Sequence, residues 1–276
     1  MRACGGKLMS DEQSRNVTSI FSRTGRPLIV AKFGGTSLAT TSHIQSIARQ
    51  ITDAVDMGRQ LIVVVSAMAG ETDNLMSKAG QVALEPNLQT LDFIVSSGEQ
   101  ISAGLLALAL ENLGFKAKPF TAFQAGIVTD NQFGDANIVK VEKQHIQRSL
   151  DRNEIPVVTG FQGVTENGDV TTLGRGGSDT TAMALAAAFS ADLCEICTDV
   201  DGVYSSDPNQ FRDALKFSHL DYDQMGDIVN RSARVLHSKS LKIAKETNVP
   251  ILIRSSFTDV EGTMISKNNK GKGVEI

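Results

Sequence analysis

Three short segments hold residues whose types and spacing suit the handling of a phosphate. Lys32-Phe33-Gly34-Gly35-Thr36-Ser37 sets a compact cation just ahead of a glycine pair, with two hydroxyls behind it. Adjacent glycines let the backbone approach a bulky anion with its N–H groups turned inward, and lysine supplies a point charge. The second segment, Leu173-Gly174-Arg175-Gly176-Gly177-Ser178-Asp179-Thr180-Thr181, sets three glycines around an arginine and is expected to place Ser178-Asp179 at a helix N-cap. A helix start adds unpaired N–H donors and partial positive charge. Asp179 either caps that helix or, among phosphate-cradling glycines, orients a metal or holds Lys32; the functional reading is preferred. The third segment, Thr198-Asp199-Val200-Asp201-Gly202-Val203-Tyr204-Ser205-Ser206-Asp207-Pro208, offers a turn, an aromatic face and several hydroxyls. Neither glycine segment is a G-x-x-x-x-G-K-[ST] or a spaced G-x-G-x-x-G. Each is modest alone, but their order describes a phosphate and nucleotide site.

Such loops need elements to hold them. Apolar, β-branched runs at 28–33, 61–65, 156–159, 193–198 and 249–254 read as strands, with helical patterns at 42–57, 88–113, 179–189 and 232–247. Gly114 is a helix-stop signal. Continuous apolar strands alternating with helices predict a largely parallel sheet covered on both faces. In such sheets ligands collect at the carboxyl ends of the strands, where the three segments fall. No repeat or linker divides the chain, so one α/β domain over 27–276 is expected. Residues 1–26 are polar, lack the apolar stretch of a secretory signal, and read as a flexible leader.

Composition narrows the classes further. The 276 residues carry 27 Lys and Arg against 31 Asp and Glu, a net charge of −4, which argues against a nucleic-acid-coating surface. Apolar residues make up 41%, rising to about half with the 24 glycines, which excludes disorder and collagen. The longest uncharged apolar runs, 103–110 and 182–189, fall well short of the roughly 20 residues of a membrane span, so no membrane partner is expected. Three cysteines build no disulfide framework, and a reducing, cytoplasmic setting is the simpler expectation. Cys194 and Cys197 form a C-x-x-C, but odd spacing on a strand sends the two side chains to opposite faces, so both read as structural.

Taken together, KFGGTS at 32–37, SGEQIS at 97–102, GRGGSDTTA at 174–182, TDVDGVYSSDP at 198–208 and ARVLH at 233–237 resemble the aspartate kinase branch of the amino-acid kinase family. The resemblance runs from about Leu28 to the C-terminus. It implies a three-layer α/β/α sandwich with a mainly parallel central sheet, a substrate-binding N-terminal lobe and a nucleotide-binding C-terminal lobe. It implies ATP-dependent phosphorylation of the side-chain carboxylate of L-aspartate to 4-phospho-L-aspartate, the first step toward lysine, threonine and methionine. Mg²⁺ would be held mostly by phosphate oxygens and water, with no protein ligand assigned. By the same resemblance, Lys32, Gly34, Gly35 and Ser37 serve the nucleotide phosphates, and Asp179 orients Lys32. Thr198, Asp199 and Tyr204 hold adenosine, with Arg234 on the nucleotide side. Ser66 and Thr72 lie near substrate, Glu99 meets its ammonium, Arg175 clamps a carboxylate and Ser178 assists. Without the resemblance, Glu99 reads as a charge on a helix surface, and His237 reads as structural. A carboxylate acceptor is already ionised at pH 7, which fits the lack of histidine in the three loops.

Two positions depart from the family pattern: Asn209 stands where an arginine is usual, with Arg212 the nearest, and Arg234 replaces a lysine. Both fall on the nucleotide side. The chain is also expected to carry no ACT-type regulatory domain, and hence to be insensitive to lysine and threonine. A homo-oligomer through the catalytic domain is possible. The alternatives are a relative acting on another carboxylate, or a non-catalytic nucleotide-binding subunit.

Overall fold

Residues 25–208, 210–211, 213–231 and 236–267 are described by a computed structural model. The chain opens with β1 (Leu28–Phe33), α1 (Thr41–Asp56), β2 (Gln60–Val65), α2 (Glu71–Val82), α3 (Leu88–Val95) and α4 (Ser97–Asn112). Next come β3 (Ala117–Phe120), α5 (Ala122–Ala125), β4 (Ile127–Thr129), β5 (Ile138–Val141), α6 (Gln144–Asp151), β6 (Ile155–Thr159), β7 (Gln162–Val164) and β8 (Val170–Thr172). The rest is α7 (Gly177–Phe189), β9 (Leu193–Thr198), β10 (His219–Leu220), α8 (Tyr222–Arg231), α9 (Ser238–Thr247), β11 (Ile251–Ser255) and β12 (Thr263–Ile265).

All five expected strands form, and they share one eight-stranded sheet in the order β10-β12-β11-β9-β1-β2-β6-β3. Every pairing in it is parallel except β11 with β12. The central strands are largely apolar, apart from Lys32, Glu195 and Arg254, because both faces are covered. Ile29, Ala31, Phe33, Val63 and Val65 pack under α1 and α4, while Val30, Ile62, Val64 and Ile196 pack under α6, α7, α8 and α9. This is the expected α/β/α sandwich. Cys194 and Cys197 are free and buried in opposite clusters, as their spacing required.

Register then fixes where chemistry can occur. Phe33 pairs with both Val65 and Cys197, Val65 with Thr159, and Thr198 with Ser255. The carboxyl ends of five strands therefore finish level, and their loops open along a single edge.

Four details correct the sequence reading. The helix expected over 88–113 is two helices meeting at Ser96. There the Ser96 and Ser97 hydroxyls donate to the carbonyls of Phe93 (3.0 Å) and Ile94 (2.7 Å), competing with the helical ladder. By length and composition the run Leu88–Asn112 could span a bilayer, yet half of its most apolar stretch is buried inside the fold. Asp179 is not an N-cap: α7 begins at Gly177, left-handed Gly176 holds the cap position, and Asp179 sits in the first turn. Finally, a second sheet, β5-β4-β7-β8, carries the segment that leads into the second glycine loop. Its strands of three or four residues are too short to show a period. Of the helix expected over 232–247, Ser238–Thr247 forms, and 232–235 lie outside the described residues.

Candidate active site

Lys32 is the next-to-last residue of β1, and alternation turns it away from the face that holds Ala31 and Phe33. On the opposite face it meets the first turn of α7, where its Nζ lies 2.8 Å from Asp179 Oδ1, with both side chains 12% exposed. The contact is an ion pair rather than an aligned hydrogen bond. A helix start suits a carboxylate, since its partial positive charge adds to that of the ammonium.

This pair forms part of the wall of a cavity of about 400 Å³ at the carboxyl edge of the sheet. Gly35, Ser66, Thr72, Glu99, Arg175 and Ser178 also line it, so eight of the residues singled out in the sequence converge there. Met68, Asp73 and Phe161 join them without having been foreseen. Gly35 is needed for close approach: a Cβ on it would lie 2.9 Å from the Ala67 carbonyl oxygen.

Glu99 is not the surface charge that an isolated reading suggests. It is 2% exposed, with Ala67, Glu71 and Leu75 lying against the first turn of α4. Its Oε1 accepts a hydrogen bond from the Ala67 N–H at 3.0 Å, while Oε2 is buried without a hydrogen-bond partner. Desolvation raises its pKa from 4.5 to about 7, against backbone hydrogen bonds from Ala67 and Glu99 that pull it down. Arg175 is exposed in the turn between two left-handed glycines and forms no ion pair among the described residues.

Other expected residues lie off the cavity. The Gly34 N–H donates to the Cys197 carbonyl at 3.2 Å, extending the β1–β9 pairing. Ser37 is fully buried and its hydroxyl pairs with that of Ser256 at 2.6 Å. Thr198 ends β9 and its hydroxyl donates to Asp199 at 3.2 Å. Tyr204 donates to Asp201 at 2.9 Å, and Lys216 pairs with the same carboxylate at 3.2 Å. Asn209, Arg212 and Arg234 lie outside the described residues.

The second glycine loop is braced from distant parts of the chain. A Cβ on Gly174, whose φ is +71°, would fall 2.5 Å from Asp135 Oδ1, and Asp135 pairs with Lys239 at 2.6 Å. His237 packs over Gly176, and its Nδ1 accepts from the Lys239 N–H at 3.5 Å. We predict that Gly174→Ala costs about 1–3 kcal/mol of stability from the left-handed φ alone. Thermal unfolding checks this; an unchanged midpoint would refute it.

A mainly parallel sheet between helical layers, with glycine loops and a lysine–aspartate pair converging on its carboxyl edge, defines an α/β domain with a charged cavity at its strand ends. Within that class, this chain belongs to the amino acid kinase family, whose model matches residues 27–255. It is 45% identical over 240 residues to the aspartokinase of Geobacillus stearothermophilus, covering 87% of this chain and 59% of that relative. Aspartate kinase from Synechocystis superposes with a TM-score of 0.78 at 40% identity, over 87% of this chain and 40% of that one. Aspartokinase III of E. coli, solved with aspartate and ADP, superposes with a TM-score of 0.79 at 25% identity, over 88% of this chain and 65% of that one. The chain thus spans about three fifths of the length of the Geobacillus relative.

Proposed function

We propose that this chain transfers the terminal phosphoryl group of ATP to the side-chain carboxylate of L-aspartate, giving 4-phospho-L-aspartate and ADP. The observation that carries the reading is the set of charges on one cavity: the Lys32–Asp179 pair, the unpartnered Glu99 oxygen and the unpaired Arg175. They offer a partner for each charged part of an amino acid and of a transferring phosphoryl group. The relatives named aspartokinase, and the aspartate and ADP in the E. coli enzyme, support the choice of substrates.

In this reading Glu99 receives the substrate ammonium and Arg175 holds the α-carboxylate in a two-point contact. Thr72, in the first turn of α2, Ser66 and Ser178 orient the side-chain carboxylate. One of its oxygens attacks the terminal phosphorus, the bond to the bridging oxygen breaks, and ADP departs with that electron pair. No proton needs to be removed from the acceptor, so catalysis rests on positioning and charge neutralisation. Lys32 supplies the neutralising charge near the transferring group, Asp179 holds it there, and Gly35 lets the backbone approach. Gly34 and Ser37 are assigned to the nucleotide phosphates with the same loop. Thr198, Asp199 and Tyr204 are assigned to adenosine, with Arg234 on the same side.

No group of three or more His, Cys, Asp or Glu side chains is gathered for a metal among the described residues, and Asp179 is committed to Lys32. A Mg²⁺ ion held chiefly by phosphate oxygens and water fits such a site, and it would contribute charge neutralisation on the nucleotide. The reaction stands at the head of routes to lysine, threonine and methionine.

A coupled ADP-release assay across a panel of amino and acylamino acids tests the reading. Aspartate is expected to give the highest kcat/KM. A higher value for another acid would overturn the substrate, and nucleotide binding without turnover would favour a non-catalytic subunit.

A further inference from the structure

Asp92 was no part of the sequence-based site and does not line the cavity, yet it is among the most enclosed charges in the protein, at 2% exposure. Its Oδ2 accepts from the Thr172 N–H at 2.9 Å and from the Gly134 N–H at 2.9 Å, and its Oδ1 accepts from the Thr172 hydroxyl at 2.7 Å. Three protein donors thus satisfy one buried carboxylate, which a protein core tolerates only with such compensation.

What those donors connect is informative. Asp92 lies on α3, which passes through Ser96 into α4 and reaches Glu99 two turns later. Thr172 ends β8, three residues before Arg175. Gly134 precedes Asp135, the residue packed under Gly174, and the Ala136 N–H donates to the Thr172 carbonyl at 2.8 Å. The carboxylate therefore fastens α3, which runs directly into the helix that carries Glu99, to the strand that leads into the Arg175 loop. Gln162 adds a parallel brace, since its side-chain amide donates to the Ser96 carbonyl at 2.8 Å and its oxygen accepts from the Ala122 N–H at 3.4 Å. Lys32 is held by β1, which pairs with β2 and β9 in the central sheet, outside this linkage.

We infer that Asp92 is a positioning residue that sets the separation between Glu99 and Arg175, and so governs how tightly the amino-acid substrate is held. The inference rests on the reading of the cavity as an amino-acid site. Because the nucleotide side is anchored separately, the effect is selective: loosening the clamp weakens the acid and spares ATP.

The test is Asp92→Asn, which puts an amide donor against the Thr172 or Gly134 N–H, together with Thr172→Val, which removes only the hydroxyl contact at nearly constant volume. Asp92→Asn is expected to raise KM for aspartate about tenfold or more, with kcat at saturation and nucleotide Kd within about threefold of the parent. Thr172→Val is expected to follow the same pattern at about two- to fivefold. An unchanged KM, equal losses for acid and nucleotide, or a loss confined to kcat would each overturn the inference. Should Asp92→Asn fail to fold, Thr172→Val decides alone. If the parent enzyme prefers another acid, the substrate assignment fails, and the KM ratio measured with that acid still decides the role of Asp92.

Discussion

Lys32→Met is expected to lower kcat by about a hundred- to a thousandfold, equivalent to about 3–4 kcal/mol of lost transition-state stabilisation. The loss follows from position. The ammonium lies on the carboxyl edge of the central sheet, 2.8 Å from Asp179 and largely shielded from solvent. A charge in such a place is already oriented when phosphoryl transfer begins, and no rearrangement has to be driven during the reaction. Arginine is not an adequate replacement. The ammonium places its charge at one point 2.8 Å from Asp179, whereas a planar guanidinium spreads that charge over several atoms and carries it further from the strand. Lys32→Arg should therefore stay below about a tenth of parental kcat. Lys32→Met also leaves Asp179 as a shielded charge without its partner, which destabilises the fold. The double variant Lys32→Met with Asp179→Asn separates the two effects: the melting temperature should recover while kcat does not. Recovery of both, or parental kcat in Lys32→Met alone, would remove Lys32 from the reaction.

The contrast between Lys32 and Ser37 shows what a sequence can carry. Lys32 was legible because strand alternation, the glycine pair and the following helix are all local, and local order decides which way a strand residue faces. The level strand ends were legible for the same reason, since continuous apolar runs demand a covered parallel sheet. Ser37 has an equally suitable hydroxyl, but its direction is set by Ser256, and nothing near position 37 announces that partner. Glu99 reads as a surface charge in isolation because its helix shows no sign that Ala67 and α2 will pack against its first turn. Asp92 and Gln162 carry the same lesson. Asp92 satisfies donors on β8, and Gln162 lies on β7; both are strands of three residues in the smaller sheet, too short to leave a periodic trace. Long-range hydrogen bonding, and the short strands of the smaller sheet that depend on it, are what the sequence concealed.

Glu99→Gln should change the protein in two opposite directions, and pH tells them apart. In the folded protein the Glu99 pKa rises from 4.5 to about 7, because burial penalises the ionised form. A carboxyl group with a raised folded pKa contributes stability below its unfolded pKa and loses it as pH rises through the folded value. The substrate-free protein should therefore weaken between about pH 4.5 and 7 through this residue, by about 3 kcal/mol in total, and level off above. Glutamine carries no charge, so Glu99→Gln should match the parent near pH 4.5 and exceed it in stability at pH 8. Binding runs the other way. A substrate ammonium reaching the unpartnered Oε2 favours the ionised carboxylate, so aspartate binding near pH 7 should release a fraction of a proton. Below pH 7 its affinity should fall up to about tenfold per pH unit. Loss of a charge-assisted hydrogen bond should raise KM for aspartate by about ten- to a hundredfold in Glu99→Gln and flatten that pH slope. Calorimetry in buffers of different ionisation enthalpy measures the proton release directly. If the slope and the released proton persist in Glu99→Gln, the titrating group is elsewhere and Glu99 is not the ammonium partner. If the variant gains no stability at pH 8, the buried carboxyl was never the strained group its desolvation implies.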